Sequence, residues 1–246
     1  MKYYIGTSGW SYPSFRGILY PEGMKSKGWL RFYSERFNTV EINATFYRTP
    51  RKSTFEKWYA ETPKDFMFSI KAHKSITHIK RLKDVDEELK TFFKSIAPLK
   101  EKGRVILYQF PPSLTFNKEV LENFLAKLPS DYKHVVEVRN RSFHTEEFFE
   151  LLKRREVCLC FSDFGGRYPS WVEVMTADFL YIRMHGRERV YFSNYSEDEL
   201  FELAQTIMRF KADEVYVYFD NTGLGYAVQN AMRLRELLKN SPSLKT

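Results

Sequence analysis

HVVEVRN, residues 134–140, alternates strictly: Val136 and Val138 share one face, while Glu137 and Arg139 share the other. Successive side chains of a β-strand point to opposite faces, so this stretch reads as a strand with one oily side and one ionisable side. The same split recurs elsewhere. Ile182 and Met184 oppose Arg183 and His185, and Ile70 and Ala72 oppose Lys71 and His73. Val40 and Ile42 oppose Glu41 and Asn43, and Val217 and Phe219 oppose Tyr218 and Asp220. In a closed parallel barrel the helices cover the outer face, which must be apolar, so the polar set points inward. That set also comes late in each strand, at the C-terminal mouth where barrel enzymes carry their sites.

Working outward, eight runs of strand character follow one another: residues 3–6, 39–43, 67–73, 105–110, 134–139, 157–162, 179–185 and 214–220. Helical spacing fills most of the gaps. Leu89, Phe92, Phe93 and Ile96 recur at that spacing, as do Val120, Leu121, Phe124, Leu125 and Leu128. Leu200, Leu203, Ala204, Ile207 and Met208 give a third case. Ser53 with Glu56, Asp84 with Glu87 and Ser196 with Glu199 each place a capping residue three positions before a carboxylate, which predicts helix starts. Strands alternating with helices build βαβ units and a parallel sheet. Together these runs predict an α/β fold: a TIM-type (β/α) barrel of eight parallel strands, forming one domain over residues 1–246. The sixth connection, GGRYPSWVEVMTAD at 165–178, carries no convincing helix. The first is a long loop, residues 11–27, before a helix near 29–37.

The composition sets bounds on function. Hydrophobic residues make up 43% of the 246, enough for one large core. A net charge of +8 and a pI of 9.3 point to anionic partners, or else to a solvated lysine-rich surface. Cys158 and Cys160 are too close along one strand for an ordinary disulfide, and two thiols make a poor metal site. They read as buried strand residues in a reduced, cytoplasmic setting. No stretch approaches the ~20 apolar residues of a membrane helix. Gly6, Thr7 and Ser8 interrupt any apolar leader, so no membrane association is expected. Oligomeric state is not set by these features.

Seven ordered motifs carry a resemblance: GTSGWSY (6–12), RFNTVEINATFYRTP (36–50), FSIKAHKSITH (68–78), LYQFPPS (107–113), VEVRNRSF (136–143), TADFLYIRMHGR (176–187) and YVYFDNTGLGYAVQNAMRL (216–234). They resemble the YecE-like family, domain of unknown function 72, over nearly the whole chain. The resemblance implies a (β/α) barrel and no established reaction. Matching strand positions include Glu41, Asn43, Lys71, Gln109, Glu137, Arg139, Arg183 and His185. Matching positions between strands include Gly9, Trp10, Phe46, Tyr47, His78, Pro111, Gly186, Asn221 and Asn230. Asp220 departs from the pattern, because the family more usually shows an amide there, so the local charge differs.

Buried charges must pair with one another or with a ligand. Glu41 and Glu137 are the expected acid–base pair, since two carboxylates facing one pocket can divide donor and acceptor roles. Lys71, Arg139 and Arg183 are expected to hold an anion, with Lys71 also able in principle to form a Schiff base. His185 suits proton transfer or ligand binding. His78, with Lys74 and Lys80, could close over a bound anion. Trp10, Tyr12, Phe46 and Tyr47 could stack on a sugar or base, and Asn43, Gln109, Asp220 and Asn221 complete the expected ligand-binding set. A rival metal site would draw on Glu137, Asp163, His185 and Asp220, but Arg139 and Arg183 share strand faces with two of those residues and disfavour a cation. No HExxH, Walker, GxGxxG or GxSxG motif is present, and no cofactor is expected.

These residues predict an enzyme, of hydrolase, lyase or isomerase type, acting on a small anionic or sugar-like substrate. One alternative is a barrel that binds nucleic acid or processes phosphodiesters with a metal. Another is a non-catalytic binding module whose ionic interior is structural.

Overall fold

The computed structural model describes residues 1–240. Eight strands pair in parallel: β1 (Lys2–Thr7), β2 (Thr39–Ile42), β3 (Met67–Lys71), β4 (Val105–Gln109), β5 (Lys133–Glu137), β6 (Cys158–Asp163), β7 (Phe179–Met184) and β8 (Glu214–Phe219). Each of β2 to β7 pairs with the next strand, and β8 pairs with β1. Between or after them run α1 (Trp29–Ser34), α2 (Ala44–Tyr47), α3 (Lys52–Glu61), α4 (Asp86–Ile96), α5 (Lys118–Leu125), α6 (Glu146–Arg154), α7 (Glu197–Arg209) and α8 (Tyr226–Lys239). Among the described residues no helix is long and apolar enough to cross a membrane.

A parallel bridge between Ser8 and Glu41 closes the barrel. This seam is a wedge rather than a ladder. The Tyr33 hydroxyl accepts from the Thr7 amide at 2.9 Å and donates to the Thr39 carbonyl at 3.1 Å. Gly6 permits the approach: a Cβ there would fall 2.3 Å from the Thr39 oxygen and 2.7 Å from the Tyr33 hydroxyl.

Strand alternation sorts side chains as the sequence predicts. Ile106, Val136, Ile182 and Val217 face outward into the core shared with Leu89, Phe124, Leu152 and Leu234 of the helices. Inside the barrel, Tyr4, Leu107, Val135, Tyr181, Tyr216 and Tyr218 pack with Cys158 and Cys160, both buried and unoxidised. Tyr4 stacks on Tyr216 with ring centres 4.7 Å apart. Tyrosine bodies fill the lower barrel, and two of their hydroxyls reach the polar layer above: Tyr181 donates to Glu41 at 2.6 Å, and Tyr218 shares a 2.7 Å hydrogen bond with Thr39.

Ser196 and Glu199 form the expected capping box of α7. The other two expected caps are displaced. Arg51 holds the cap position of α3, so Ser53 lies inside the helix, where a Lys52–Glu56 pair at 3.5 Å spans the first turn. Val85 holds the cap position of α4, and Asp84 sits just outside with φ 50°. Asp86, Glu87 and Glu88 in the first turn of α4 complement its dipole without a side-chain cap.

No helix joins β6 to β7. The loop instead hydrogen-bonds back along β6: Ser162 N donates to Ser170 O at 3.0 Å, and the Thr176 hydroxyl accepts from Leu159 N at 2.8 Å. Trp171 of the loop and Phe210 pack against Phe161 on the outer face of β6, where a helix covers other strands.

Candidate active site at the barrel mouth

The polar late-strand residues converge. Arg183 on β7 is the hub, buried to 1% exposure. Its Nε and Nη2 grip Glu41 of β2 in a two-point contact, at 3.0 Å and 2.8 Å. Its Nη1 donates to Glu137 of β5 at 2.6 Å. Glu41 also accepts from Ser8 at 2.8 Å. Arg139, just beyond β5, donates from Nε to the second Glu137 oxygen at 2.8 Å. Both carboxylates are fully buried, and their oxygens are taken by these donors. Burial opposes charge on Glu137, but Arg139 and then Arg183 overcome it and hold its carboxyl well below the usual range.

Above this layer opens a cavity of about 550 Å³. Its lining includes Lys71, Arg139, Arg183, His78, His185 and Asp220, with Asn43, Phe46, Tyr47 and Gln109. Lys71 donates to Gln109 at 2.9 Å, and its ammonium lies 4.3 Å from the Phe46 ring centre. Burial, and then Arg183, lower the Lys71 pKa to about 8. The Asp220 carboxyl is raised to about 7, chiefly by burial and against the pull of Arg183 3.6 Å away.

His185 makes one ring hydrogen bond, from Nδ1 to the Asp163 carbonyl at 3.2 Å. A carbonyl only accepts, so Nδ1 carries the hydrogen and Nε2 presents a bare lone pair. Nε2 has no hydrogen-bond partner and lies 3.5 Å from Asp220 Oδ2. Burial, and then Arg183, drive this imidazole well below its usual value, so it is neutral.

The other expected residues fall into place unequally. His78 sits on a π-helical turn, Ser75–Ile79, directly after β3, edge-on to Phe46 at 4.8 Å. Burial, and then Lys71, push its pKa down to about 4. Lys80 pairs with Glu88 at 2.9 Å instead of serving the cavity. Tyr47 stands 70% exposed at the rim. Trp10 lines a neighbouring cavity with Trp58. Asn221 lies off the cavity, bonded to Asn230 at 2.8 Å and the Ser193 carbonyl at 2.9 Å, which ties the end of β8 to α8.

The four residues of the rival metal site do not gather. Asp163 receives Gly165 N at 3.0 Å, Tyr195 at 3.2 Å and Arg187 at 3.3 Å, while both Glu137 oxygens face guanidinium groups. Among the described residues no group of His, Cys, Asp and Glu has the arrangement of a metal centre.

Tyr191 and Thr222 also line the cavity without having been singled out from the sequence. Tyr191 sits at φ 70° and donates its amide to the His185 carbonyl at 2.6 Å. It lies in an irregular turn after β7, where no periodicity marks it.

Comparison with known proteins agrees with this architecture. The profile of a family described as "Protein of unknown function DUF72" matches residues 4–245. The UPF0759 protein YunF of Bacillus subtilis is 28% identical, over 96% of this chain and 94% of its own length. The UPF0759 protein YecE of Escherichia coli is 32% identical over 57% of this chain and 49% of its own. The crystal structure of a DUF72 family protein from Thermotoga maritima superposes with a TM-score of 0.88 at 31% identity, covering 98% of this chain and all of that one. A DUF72 family protein from Enterococcus faecalis shares the fold at a TM-score of 0.84 and 21% identity, covering 97% of this chain and 96% of that one.

Proposed function

This chain belongs to the DUF72 family of proteins of unknown function, and on that premise we propose that it is an enzyme acting on a small anionic substrate by proton transfer at the barrel mouth. The observation that carries the reading is a carboxyl and an ammonium lining one open cavity, with pKa values of about 7 and about 8. Groups displaced toward neutrality in opposite directions are what acid–base chemistry at neutral pH needs.

Roles follow from which atoms are left available. Arg139 uses only Nε on Glu137, so both of its terminal amino groups can take a carboxylate or phosphate. Phe164 and Tyr168, adjacent to each other, hold that guanidinium over their rings, with ring centres at 4.5 Å and 4.9 Å. Lys71 supplies the second cation. Asp220, when protonated, faces the bare Nε2 of His185, and the two can pass a proton to or from a bound substrate. At 3.5 Å this contact is open, as such contacts often are before substrate binds. Glu41 and Glu137, expected from the sequence to transfer protons, fit a positioning role: they hold Arg183, which sets the floor of the site. His78 over Phe46 roofs Lys71 and keeps its ammonium partly dry.

The test is turnover of a panel of phosphorylated and carboxylated sugars by the wild type and by Asp220→Asn. Asp220→Asn should retain the fold and lose about a hundredfold or more in rate on any compound the wild type converts. Undiminished turnover in that variant would remove Asp220 from the chemistry.

A further inference from the structure

Beside the main cavity lies a second one of about 440 Å³, lined by Trp10, Ser11, Trp58 and Ala44. Tyr12 and Asn43 line both cavities, so the two adjoin at these residues. Its character is different. The first is ionic, whereas this one offers indole surface and no charged side chain.

Three features suggest a built site. Asn43 lines both cavities, and its Oδ1 is buried without a hydrogen-bond partner. An orphaned buried acceptor is costly unless a donor arrives to fill it. Trp10 and Trp58 meet edge to face, with ring centres 4.9 Å apart and planes at 89°. They form a corner, not a parallel slot, which suits a puckered ring with an apolar C–H face better than a flat base clamped on both sides. The wall is also fixed in advance. The Tyr12 hydroxyl donates to Ser8 O at 2.8 Å, and the Tyr20 hydroxyl donates to Trp10 O at 2.6 Å. Gly9, at φ 91°, leaves the room Tyr12 needs, since a Cβ there would lie 3.0 Å from its ring. Walls held this way lose little entropy on binding.

We propose that the tryptophan corner is a second subsite that holds the hydroxylated ring of an anionic sugar, whose phosphate or carboxylate sits between Lys71 and Arg139. The ring lays a C–H face on indole, and a hydroxyl donates to Asn43. This rests on the anion-binding reading above and narrows its substrate class.

The experiment is calorimetric titration of the protein with inorganic phosphate, glucose phosphate, glucuronate and adenosine monophosphate. Glucose phosphate should bind at least about tenfold tighter than phosphate alone. Trp10→Leu should lose that gain and keep phosphate binding. If Trp10→Leu does not fold, Asn43→Ala serves for the same comparison. Glucuronate binding as tightly as glucose phosphate would make the carboxylate the native anion; weaker binding would make it the phosphate, and both outcomes keep the ring in the corner. Phosphate binding with no gain from the sugar overturns the subsite alone. Tighter binding of adenosine monophosphate than of glucose phosphate overturns the ring class. No binding of phosphate or glucuronate overturns the anion reading, and the subsite falls with it.

Discussion

Asp220 sits 3.6 Å from an arginine yet holds its proton up to about 7, because burial outweighs the attraction and Glu41 adds repulsion. Its folded value lies above the 3.8 of the free side chain. Between those values the folded state binds more protons than the unfolded one. The stability tied to this residue is therefore complete below pH ~4 and lost as pH rises to ~7. Asp220→Asn removes that loss. The variant should melt at the same temperature as the wild type near pH 4 and at a higher one near pH 8, with calorimetric scans across that range as the check. A variant less stable at pH 8 would mean that Asp220 is instead an ionised partner of Arg183. Neither Asp220 nor His185 shows its state in the sequence. Alternation puts both on the inner face, but the proton position depends on the Asp163 carbonyl and on how deeply the mouth is roofed.

At the scale of elements, the closure of the barrel rests on one glycine. Gly6 brings β1 within reach of the Tyr33 hydroxyl and the Thr39 carbonyl. Gly6→Ala drives a methyl group into backbone, which has no flexible end to move aside, so it should cost more than about 2 kcal/mol. Ser196→Ala, which removes one half of the α7 capping box, should cost about 1 kcal/mol. Urea denaturation of both variants gives the comparison, and equal costs would show that the seam is loose. Period-two alternation is a local property, which is why the strands can be read directly from residues such as Val136 and Glu137. The missing helix after β6 is legible for the same reason, since 165–178 has no helical period. Helix starts are less so. Ser53 and Asp84 have the right spacing to a carboxylate, yet the acidic first turn of α4 and the Lys52–Glu56 pair of α3 let those helices begin without them.

Across the whole molecule, Arg183 joins β2, β5 and β7 through Glu41 and Glu137 and stands beside Asp220 at the end of β8. Removing the cation leaves two fully buried carboxylates without it. Arg183→Met should therefore cost roughly 3–5 kcal/mol, measured by chemical denaturation. Adding Glu41→Gln should recover part of the loss, whereas additive losses would show that the pair is not a unit. The convergence of these side chains was readable from the strand faces alone. The division between a saturated floor and an open cavity was not. It depends on Arg183 reaching two carboxylates at once, and on loop residues such as Tyr191 and Thr222 that no pattern marks. We propose that Lys71 and Arg139 make an anion site in the cavity, where burial lowers the Lys71 pKa to about 8. The decisive experiment is isothermal titration with inorganic phosphate from pH 6 to 10. One phosphate should bind per chain, weakening as pH rises through 8 and lost in Lys71→Met. Binding that ignores both the pH and the Lys71 substitution, or no binding at all, would contradict it.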